Sequence, residues 1–127
     1  MSPQDTTRTP RQRDGDQAEA LAVAHLEQAG LHVLQRNFRV RGGEIDCIAR
    51  DGATLVFVEV RYRKSAHFGG AAASIDTRKQ QRLILAAQLY LLKNPRWAKH
   101  PCRFDCIVMK ALNAEDIEWI KDAFQLM

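Results

Sequence analysis

The pattern of apolar and polar residues along the chain predicts two long helices separated by a group of strands. Residues 15–29 carry apolar side chains at helical spacing, and Gly30 follows where a left-handed C-cap belongs. A second helical pattern runs over residues 76–92 and ends before Pro95, which cannot continue a helix. Each pattern places an apolar stripe along one side, so both helices are expected to pack on a sheet.

The remaining apolar runs are rich in β-branched and aromatic residues, which is typical of strands. We predict strands over residues 31–38, 44–50, 54–62 and 104–109. The dipeptide Asp51-Gly52 favours a two-residue type I′ hairpin turn between the second and third of these strands. Residues 117–124 fit either a final strand or a short helix, and residues 65–74 predict an irregular loop.

The order helix, three strands, helix, strand, then strand or helix predicts an α/β fold in which a mixed β-sheet is flanked by helices. Residues 1–14 contain two prolines, three arginines and only one aliphatic side chain, Met1, so they predict a flexible basic tail. Residues 15–127 are then expected to form a single domain, since the chain length suits one hydrophobic core.

Composition limits the classes of partner and compartment. The net charge of +4 favours polyanionic partners modestly. Three cysteines at no disulfide-like spacing indicate free thiols and therefore a cytoplasmic protein. The chain lacks both an apolar stretch near the roughly 20 residues that span a bilayer and the apolar segment of a signal peptide, so we expect no membrane partner.

Acidic residues are concentrated on one face of the predicted hairpin. If Asp51-Gly52 forms the turn, Asp46 lies opposite Phe57 and Glu44 lies opposite Glu59. Two carboxylates about 5 Å apart repel each other by roughly 3 kcal/mol at an effective dielectric constant near 20. A bound divalent cation would remove this repulsion.

Two interpretations of these acids remain open. Mg²⁺ needs only one or two carboxylates together with waters and substrate phosphate, and Asp46 and Glu59 meet that need. Arg61 lies on the same strand face as Glu59, where its charge could stabilise a phosphate. The alternative is an exposed hairpin in which the acids pair with Arg61 and Arg63.

Several short motifs in the chain resemble the YraN family. They are Glu19 in the first helix, Gly43-Glu44-Ile45-Asp46, Phe57-Val58-Glu59-Val60-Arg61 and Lys79-Gln80. The resemblance extends from about Gly15 to the C-terminus. That family is similar to archaeal Holliday-junction resolvases and, more broadly, to restriction-endonuclease-like nucleases with a D…E-x-K signature. The resemblance implies a restriction-endonuclease-like fold, DNA as the partner, and Mg²⁺ or Mn²⁺ as the cofactor.

The resemblance also implies a set of metal ligands. By position, Asp46 and Glu59 would hold the metal, and Glu19 would be an additional acid at the metal or its water. The carbonyl group of Val60 is a further candidate ligand. Glu44 is a weaker candidate.

Arg61 departs from the nuclease signature, which has lysine at this position. A guanidinium group stays protonated, so Arg61 cannot act as a base, although it can hold a phosphate. An ammonium group could come instead from Lys79 or Lys64. We rank Lys79 first, because Lys64 should point to the opposite strand face.

Basic residues precede and follow the acids along the chain. The candidate nucleic-acid contacts are Arg36, Arg39, Arg41, Arg63, Lys64, Arg78, Gln80 and Arg82. Such an arrangement suits contacts to a phosphate backbone, which position a strand without reading its sequence. The alternative is that they are ordinary solvated charges.

The leading hypothesis is a Mg²⁺- or Mn²⁺-dependent endonuclease that acts on branched or flapped DNA. Resolvase-like proteins commonly dimerise, so a homodimer is compatible with this hypothesis. A second hypothesis is a non-catalytic nucleic-acid-binding module, in which Arg61 marks lost chemistry. A third is a scaffold for repair or processing proteins.

Overall fold

The computed structural model describes residues 8–63 and 75–125. The elements in chain order are α1 (Pro10–Gln28), β1 (His32–Val40), β2 (Gly43–Asp51), β3 (Thr54–Tyr62), α2 (Thr77–Lys93), β4 (Cys102–Met109) and β5 (Ile117–Phe124). Single-turn 3₁₀ helices at Pro95–Trp97 and Ala114–Asp116 precede β4 and β5. This order confirms the predicted α/β fold, and it settles the last element as a strand. The predicted loop at residues 65–74 lies outside the described residues.

The five strands form one mixed sheet in the order β1-β2-β3-β4-β5. Neighbouring strands are antiparallel except β3 and β4, which are parallel. A parallel connection needs a crossover, and the chain makes it through α2. Because β3 is the middle strand, it is shielded from solvent by neighbours on both edges.

Each face of β3 packs against a different helix. Leu55 and Phe57 belong to the core that contains the apolar side of α2. Val56 and Val58 point the other way, into the core that contains the apolar side of α1. Successive side chains of a strand alternate between faces, so α1 and α2 lie on opposite sides of the sheet. Residues from the two helices therefore approach β3 from opposite directions.

Helix α1 begins at Pro10, five residues before the predicted start. The Thr9 hydroxyl accepts the Gln12 backbone N–H at 3.1 Å, and the Gln12 side-chain oxygen accepts the Thr9 N–H at 2.7 Å. This capping box, with proline at the first helical position, starts the helix without any apolar residue. The segment predicted as a tail, residues 1–14, therefore includes the first turn of α1, and residues 1–7 lie outside the described residues.

The hairpin turn between β2 and β3 is centred one residue later than predicted. Asp51 pairs with Thr54, so the two turn residues are Gly52 and Ala53. Gly52 has a φ of 59°, whereas Ala53 is not in the left-handed region. The predicted type I′ turn at Asp51-Gly52 is thus wrong, because that turn needs positive φ at both central residues.

Gly43 marks the closest approach between β2 and α2. A Cβ atom on Gly43 would overlap the backbone carbonyl oxygen of Arg82 and would lie 3.4 Å from the Ala86 side chain. The preceding Gly42 has a φ of 87° and makes the turn into β2. The sequence predicted a permissive bend at both glycines, but Gly43 is needed for helix packing. Its missing side chain lets α2 lie directly on the start of β2.

Two further expectations can be compared with the structure. Cys47 and Cys106 are buried, Cys102 is half-buried, and all three are free thiols, as predicted. Within residues 8–63 and 75–125, no helix is both long and apolar enough to cross a membrane.

The packing at Gly43 predicts opposite effects for two glycine substitutions. Gly43→Ala should lower the free energy of unfolding by roughly 1–3 kcal/mol, because the new methyl group pushes α2 off β2. The control, Gly15→Ala, lies inside α1 with no atom within 4 Å of the added Cβ. It should raise the free energy of unfolding by about 0.5–1 kcal/mol through helix propensity. Urea unfolding measures both, and a neutral Gly43→Ala would contradict the packing argument.

Candidate active site

Asp46 lies where strands β2 and β3 stop pairing. The backbone pairs between these strands run from the turn to Cys47 and Val58 and end there, although both strands continue. Beyond that point the backbone N–H of Val60 donates to Asp46 Oδ2 at 2.9 Å. The carboxylate thus takes the place of a backbone acceptor, and the strands separate around it.

Strand β2 also changes face at Asp46. On a regular strand, side chains two residues apart point to the same side, so Ile45 and Cys47 should share a face. Instead Ile45 lies in the α2 core and Cys47 in the α1 core. On the neighbouring strand β1, Asn37 has a left-handed φ of 53°, between the residues that pair with Ile45 and Cys47. The Asp46 carboxylate therefore lies at a local irregularity of the sheet, between its two faces.

Glu59 approaches Asp46 from β3. Its side chain is buried, with 8% of the residue exposed, and its Oε1 lies 3.6 Å from Lys79 Nζ of α2. Burial and then the charge and hydrogen bond of Asp46 raise the pKa of Glu59 well above its ordinary value, while Lys79 and Arg61 oppose that rise. A buried carboxylate hydrogen-bonded to a second carboxylate is an unfavourable pair unless a proton or a cation lies between them.

Glu19 approaches Asp46 from α1 on the opposite side of the sheet. Burial, followed by the charge of Asp46, raises the pKa of Glu19 from 4.5 to about 7, against the opposing charge of Arg36 and a hydrogen bond from Asn37. The Oε1 atom of Glu19 is buried and has no hydrogen-bond partner among the described residues. Asp46 is thus the shared neighbour of both glutamates.

The acids provide oxygen donors suited to a hard divalent cation. In the described part of the chain, no three His, Cys, Asp or Glu side chains are grouped closely enough to enclose a metal by themselves. Mg²⁺ does not require such a cage, because it usually binds one or two carboxylates and retains several waters. The Asp46–Glu59 pair and the unsatisfied Oε1 of Glu19 fit this mode of binding.

The predicted register across the hairpin is wrong, and the three acids do not all share one face. Glu44 and Glu59 line the same cavity, whereas Asp46 lies between the two faces of the sheet. Ile48, not Asp46, lies opposite Phe57, because the turn is shifted by one residue. Glu44 and Glu59 are not paired either, since the ladder ends before them. The Glu44 carboxylate instead forms an exposed ion pair with Arg39 Nε at 3.1 Å.

The two cations assigned to the chemistry lie in different surroundings. Arg61 is buried, with 7% of the residue exposed, and its Nε and Nη1 find no acceptor among residues 8–63 and 75–125. Lys79 lies in the first turn of α2, whose N-cap Asp76 accepts the Lys79 N–H at 2.8 Å. The ion pair between Lys79 and Glu59 brings an ammonium group to the acids. Lys64, the other candidate ammonium, lies outside the described residues.

Most of the predicted nucleic-acid contacts that the structure describes are exposed. These are Arg36, Arg39, Arg41, Arg63, Arg78 and Arg82. Arg78 and Arg82 line a cavity of about 330 Å³ together with Glu59 and Lys79. Gln80 is different, because its side-chain amide donates to the carbonyl oxygen of Ile75 at 3.0 Å and so holds the chain just before α2.

A second cavity, of about 570 Å³, lies between the start of α1 and the end of β3. It is lined by Pro10, Arg11, Asp14 and Gly15 of α1, by residues 60–63, and by Lys79. Sequence reasoning missed Arg11, because it assigned residues 1–14 to a tail. The signal that could have found it is the capping box formed by Thr9 and Gln12.

Comparison with known proteins identifies the family. The model of the uncharacterised protein family UPF0102 matches residues 18–109. The chain belongs to this family. It is 54% identical over 115 residues to a UPF0102 protein of Stutzerimonas stutzeri strain A1501, an alignment that covers 90% of this chain and 96% of that relative. It is 53% identical over 116 residues to one from Xanthomonas campestris pv. campestris strain B100, covering 91% and 94%.

A UPF0102 protein of Dechloromonas aromatica strain RCB is 56% identical over 110 residues, covering 87% of each chain. The family match confirms the relationship that the motifs indicated under the name YraN. It contains Glu19, Asp46, Glu59, Arg61 and Lys79 within the matched residues. These five residues therefore lie inside the segment that the UPF0102 family model matches, whereas Arg11 lies outside it.

The repulsion around Asp46 predicts a pH-dependent gain in stability from Asp46→Asn in EDTA. An acid whose pKa is raised by folding lowers the free energy of unfolding as the pH rises above 4.5, the ordinary pKa of glutamate. This decrease in stability is complete once the pH exceeds the pKa of the acid in the folded state, which is about 7 for Glu19. Asparagine removes the charge but can still accept from the Val60 N–H. The variant should gain roughly 1–3 kcal/mol at pH 8 and little near pH 4.5.

Urea unfolding across this pH range measures the effect. The control, Glu118→Gln, removes an exposed carboxylate from β5 and should show no such trend. A loss of stability at every pH in Asp46→Asn would contradict the repulsion argument, because asparagine keeps an acceptor for the Val60 N–H.

Proposed function

We propose that this UPF0102 protein is a metal-dependent endonuclease that acts on branched or flapped DNA. The observation that carries the proposal is the convergence on Asp46 of Glu59 from β3 and Glu19 from α1. Partly buried carboxylates that repel one another weaken a fold, so a purely structural role explains them poorly. A bound cation would remove this repulsion, so a cation-dependent activity accounts for the acids.

The cofactor in this proposal is Mg²⁺ or Mn²⁺. Asp46 and Glu59 would hold the ion, with Glu19 and the Val60 carbonyl as further oxygen donors. When bound, such an ion lowers the pKa of a water molecule and neutralises charge that develops on a phosphate group. The Val60 carbonyl is suited to the role because the same residue's N–H is tied to Asp46.

The protein's own side chains would share the remaining chemistry. Glu19, whose buried Oε1 has no hydrogen-bond partner among the described residues, would accept a proton from that water molecule. Lys79 carries a positive charge next to Glu59, where it can stabilise a phosphate oxygen. Arg61 remains protonated and therefore binds or orients phosphate without exchanging protons.

The exposed arginines on both sides of the acids support a nucleic-acid substrate. Arg36, Arg39 and Arg41 lie along β1 and the turn after it, and Arg78 and Arg82 lie on α2 beside Glu59. Contacts from such residues to phosphates would bind a strand without reading its bases. Binding should accordingly weaken steeply as salt concentration rises.

A second candidate function is a nucleic-acid-binding module without catalysis. The observation in its favour is Arg61, which occupies the signature lysine position and cannot act as a base. Such a protein would bind DNA equally well in EDTA and in Mg²⁺. In that case Arg61→Lys, which restores the signature residue, is the variant expected to cleave.

We extend the endonuclease proposal to a cytoplasmic homodimer. One site cuts one strand, so a junction cut on two strands needs two copies related by symmetry. The free thiols of Cys47, Cys102 and Cys106 suit a reducing compartment. Sedimentation equilibrium of the full chain, with and without junction DNA, tests the dimer.

Cleavage of DNA should require both central acids. With junction, flap and duplex DNA as substrates, the wild-type chain should cleave in Mg²⁺ or Mn²⁺ and not in EDTA. Asp46→Asn and Glu59→Gln should each lower the cleavage rate by about 10²-fold or more, the usual cost of removing a group that stabilises developing charge. A gel assay under single-turnover conditions measures the rate.

Glu118→Gln is the matched control for these two variants, because its carboxylate is exposed on β5. It should cleave at the wild-type rate. Cleavage that survives both Asp46→Asn and Glu59→Gln would exclude the proposed site, and binding without cleavage in any metal would favour the non-catalytic module.

Substitutions at two adjacent positions of α2 should separate chemistry from binding. Lys79→Met removes the ammonium beside Glu59 and should lower kcat by about 10²-fold with little change in KM. Arg78→Met removes an exposed charge of the cavity beside Glu59 and should mainly raise KM and reduce the salt dependence. Steady-state cleavage at several salt concentrations makes the comparison, and equal effects on kcat would argue against a special role for Lys79.

A further inference from the structure

The cavity between α1 and the end of β3 has the composition of an anion site. Its volume of about 570 Å³ is within the range of ligand pockets. Arg11, Arg61, Arg63 and Lys79 line it, and among its described lining residues Asp14 is acidic. The cavity wall is therefore strongly positive. The N-terminal turn of α1, whose backbone dipole favours negative charge, forms one side of it.

Arg61 distinguishes this cavity from an ordinary patch of surface charge, because its guanidinium is buried. A buried guanidinium normally has hydrogen-bond acceptors around it, because burying an unpaired charge is costly. Arg61 is more than nine-tenths buried, yet its Nε and Nη1 have no acceptor within residues 8–63 and 75–125. An anion in the cavity would supply the missing acceptor oxygens.

The neighbouring arginines are close enough to repel one another. Burial, and then the positive charges of Arg61 and, more weakly, Arg11, lower the pKa of Arg63, with Glu59 opposing. Arg63 Nη1 donates to the carbonyl oxygen of Tyr62 at 3.1 Å, so its guanidinium stays beside the strand. Clustered like charges on both walls favour a bound anion in the same way that the acids at Asp46 favour a cation.

We propose that this cavity binds a phosphate group of a nucleic-acid strand, with the Arg61 guanidinium as its buried donor. A phosphate offers several acceptor oxygens to a planar guanidinium fork, which makes it the anion best matched to several arginines. The assignment to a nucleic-acid strand rests on the proposed endonuclease function. The phosphate site itself does not depend on cleavage.

Lys79 connects this cavity with the acids. Its side chain lines the cavity, lines the smaller cavity beside Glu59, and forms the ion pair with Glu59. A strand with one phosphate at Arg61 would therefore present a neighbouring phosphodiester to Glu59. In this arrangement Arg61 is a positioning residue that sets which bond meets the acids.

Phosphate titrations in EDTA at low salt test the proposal. The probes are inorganic phosphate and a short thymidine oligonucleotide with a 5′-phosphate. Backbone amide shifts should appear in residues 11–15 and 60–63 of the wild-type chain. Arg61→Met should weaken binding of both probes about tenfold or more, the cost of losing a charge-assisted donor. Arg50→Met, a half-buried arginine near the other end of the hairpin, is the control and should bind as wild type.

The melting temperature distinguishes a phosphate-binding role of Arg61 from a purely structural one. Without phosphate, Arg61→Met should melt above the wild type, because it removes a buried guanidinium whose Nε and Nη1 have no acceptor among residues 8–63 and 75–125. Phosphate should raise the melting temperature of the wild type but not that of Arg61→Met. If Arg61→Met does not fold, Arg11→Gln, an exposed substitution in the first turn of α1, should still weaken phosphate binding several-fold.

Each remaining outcome decides between defined alternatives. The phosphate site would be overturned if Arg61→Met bound phosphate as tightly as the wild type. Where that variant does not fold, unchanged affinity in Arg11→Gln has the same meaning. Amide shifts confined to other parts of the chain would also overturn the site. Equal affinities for inorganic phosphate and the oligonucleotide would overturn the strand assignment, since a strand adds contacts to the surrounding arginines. The titration contains no metal and needs no cleavage. Phosphate binding can therefore be found when the endonuclease assay fails, and cleavage can be found when phosphate binding at Arg61 is absent.

Discussion

The hydrogen bond from the Val60 N–H to the Asp46 carboxylate is the contact on which the arrangement of the site depends. It replaces a backbone pair at the point where the β2–β3 ladder ends, so the two strands separate without leaving this N–H unsatisfied. The separation gives Asp46 access to both faces of the sheet. Glu59 on β3 and Glu19 on α1 can then reach the same carboxylate from opposite sides.

The second constraint is the close packing of α2 on β2 at Gly43. The helix cannot approach this far if the residue carries a side chain, because the Arg82 carbonyl occupies that space. Close approach brings the first turn of α2, and with it Lys79, to Glu59. The glycine and the lysine are far apart in sequence, yet one packing contact makes them parts of a single site.

Charge is distributed in the site in a way that opposes stability. Carboxylates gather at Asp46 while guanidinium groups gather at Arg61. The ion pair between Lys79 and Glu59 and the charge of Arg61 near Glu59 compensate the acids only in part. A stable fold without ligands would place these opposite charges against each other. Their separation into an acidic and a basic part suits a cation and a phosphate bound side by side, which is the arrangement that both proposals require.

The sequence by itself determined the element types and the face of β3 that carries Glu59 and Arg61, because hydrophobic periodicity and strand alternation are local properties. The choice of Glu19 as a candidate acid came instead from the resemblance of its position to a known family. The sequence did not determine the start of α1, which depends on the Thr9–Gln12 capping box, or the turn at Gly52, which displaced every predicted partner across the hairpin. The burial of Arg61, the strand separation at Asp46 and the ion pair between Lys79 and Glu59 were decided only by the tertiary structure. They depend on contacts between residues distant in sequence, whose geometry no local pattern encodes.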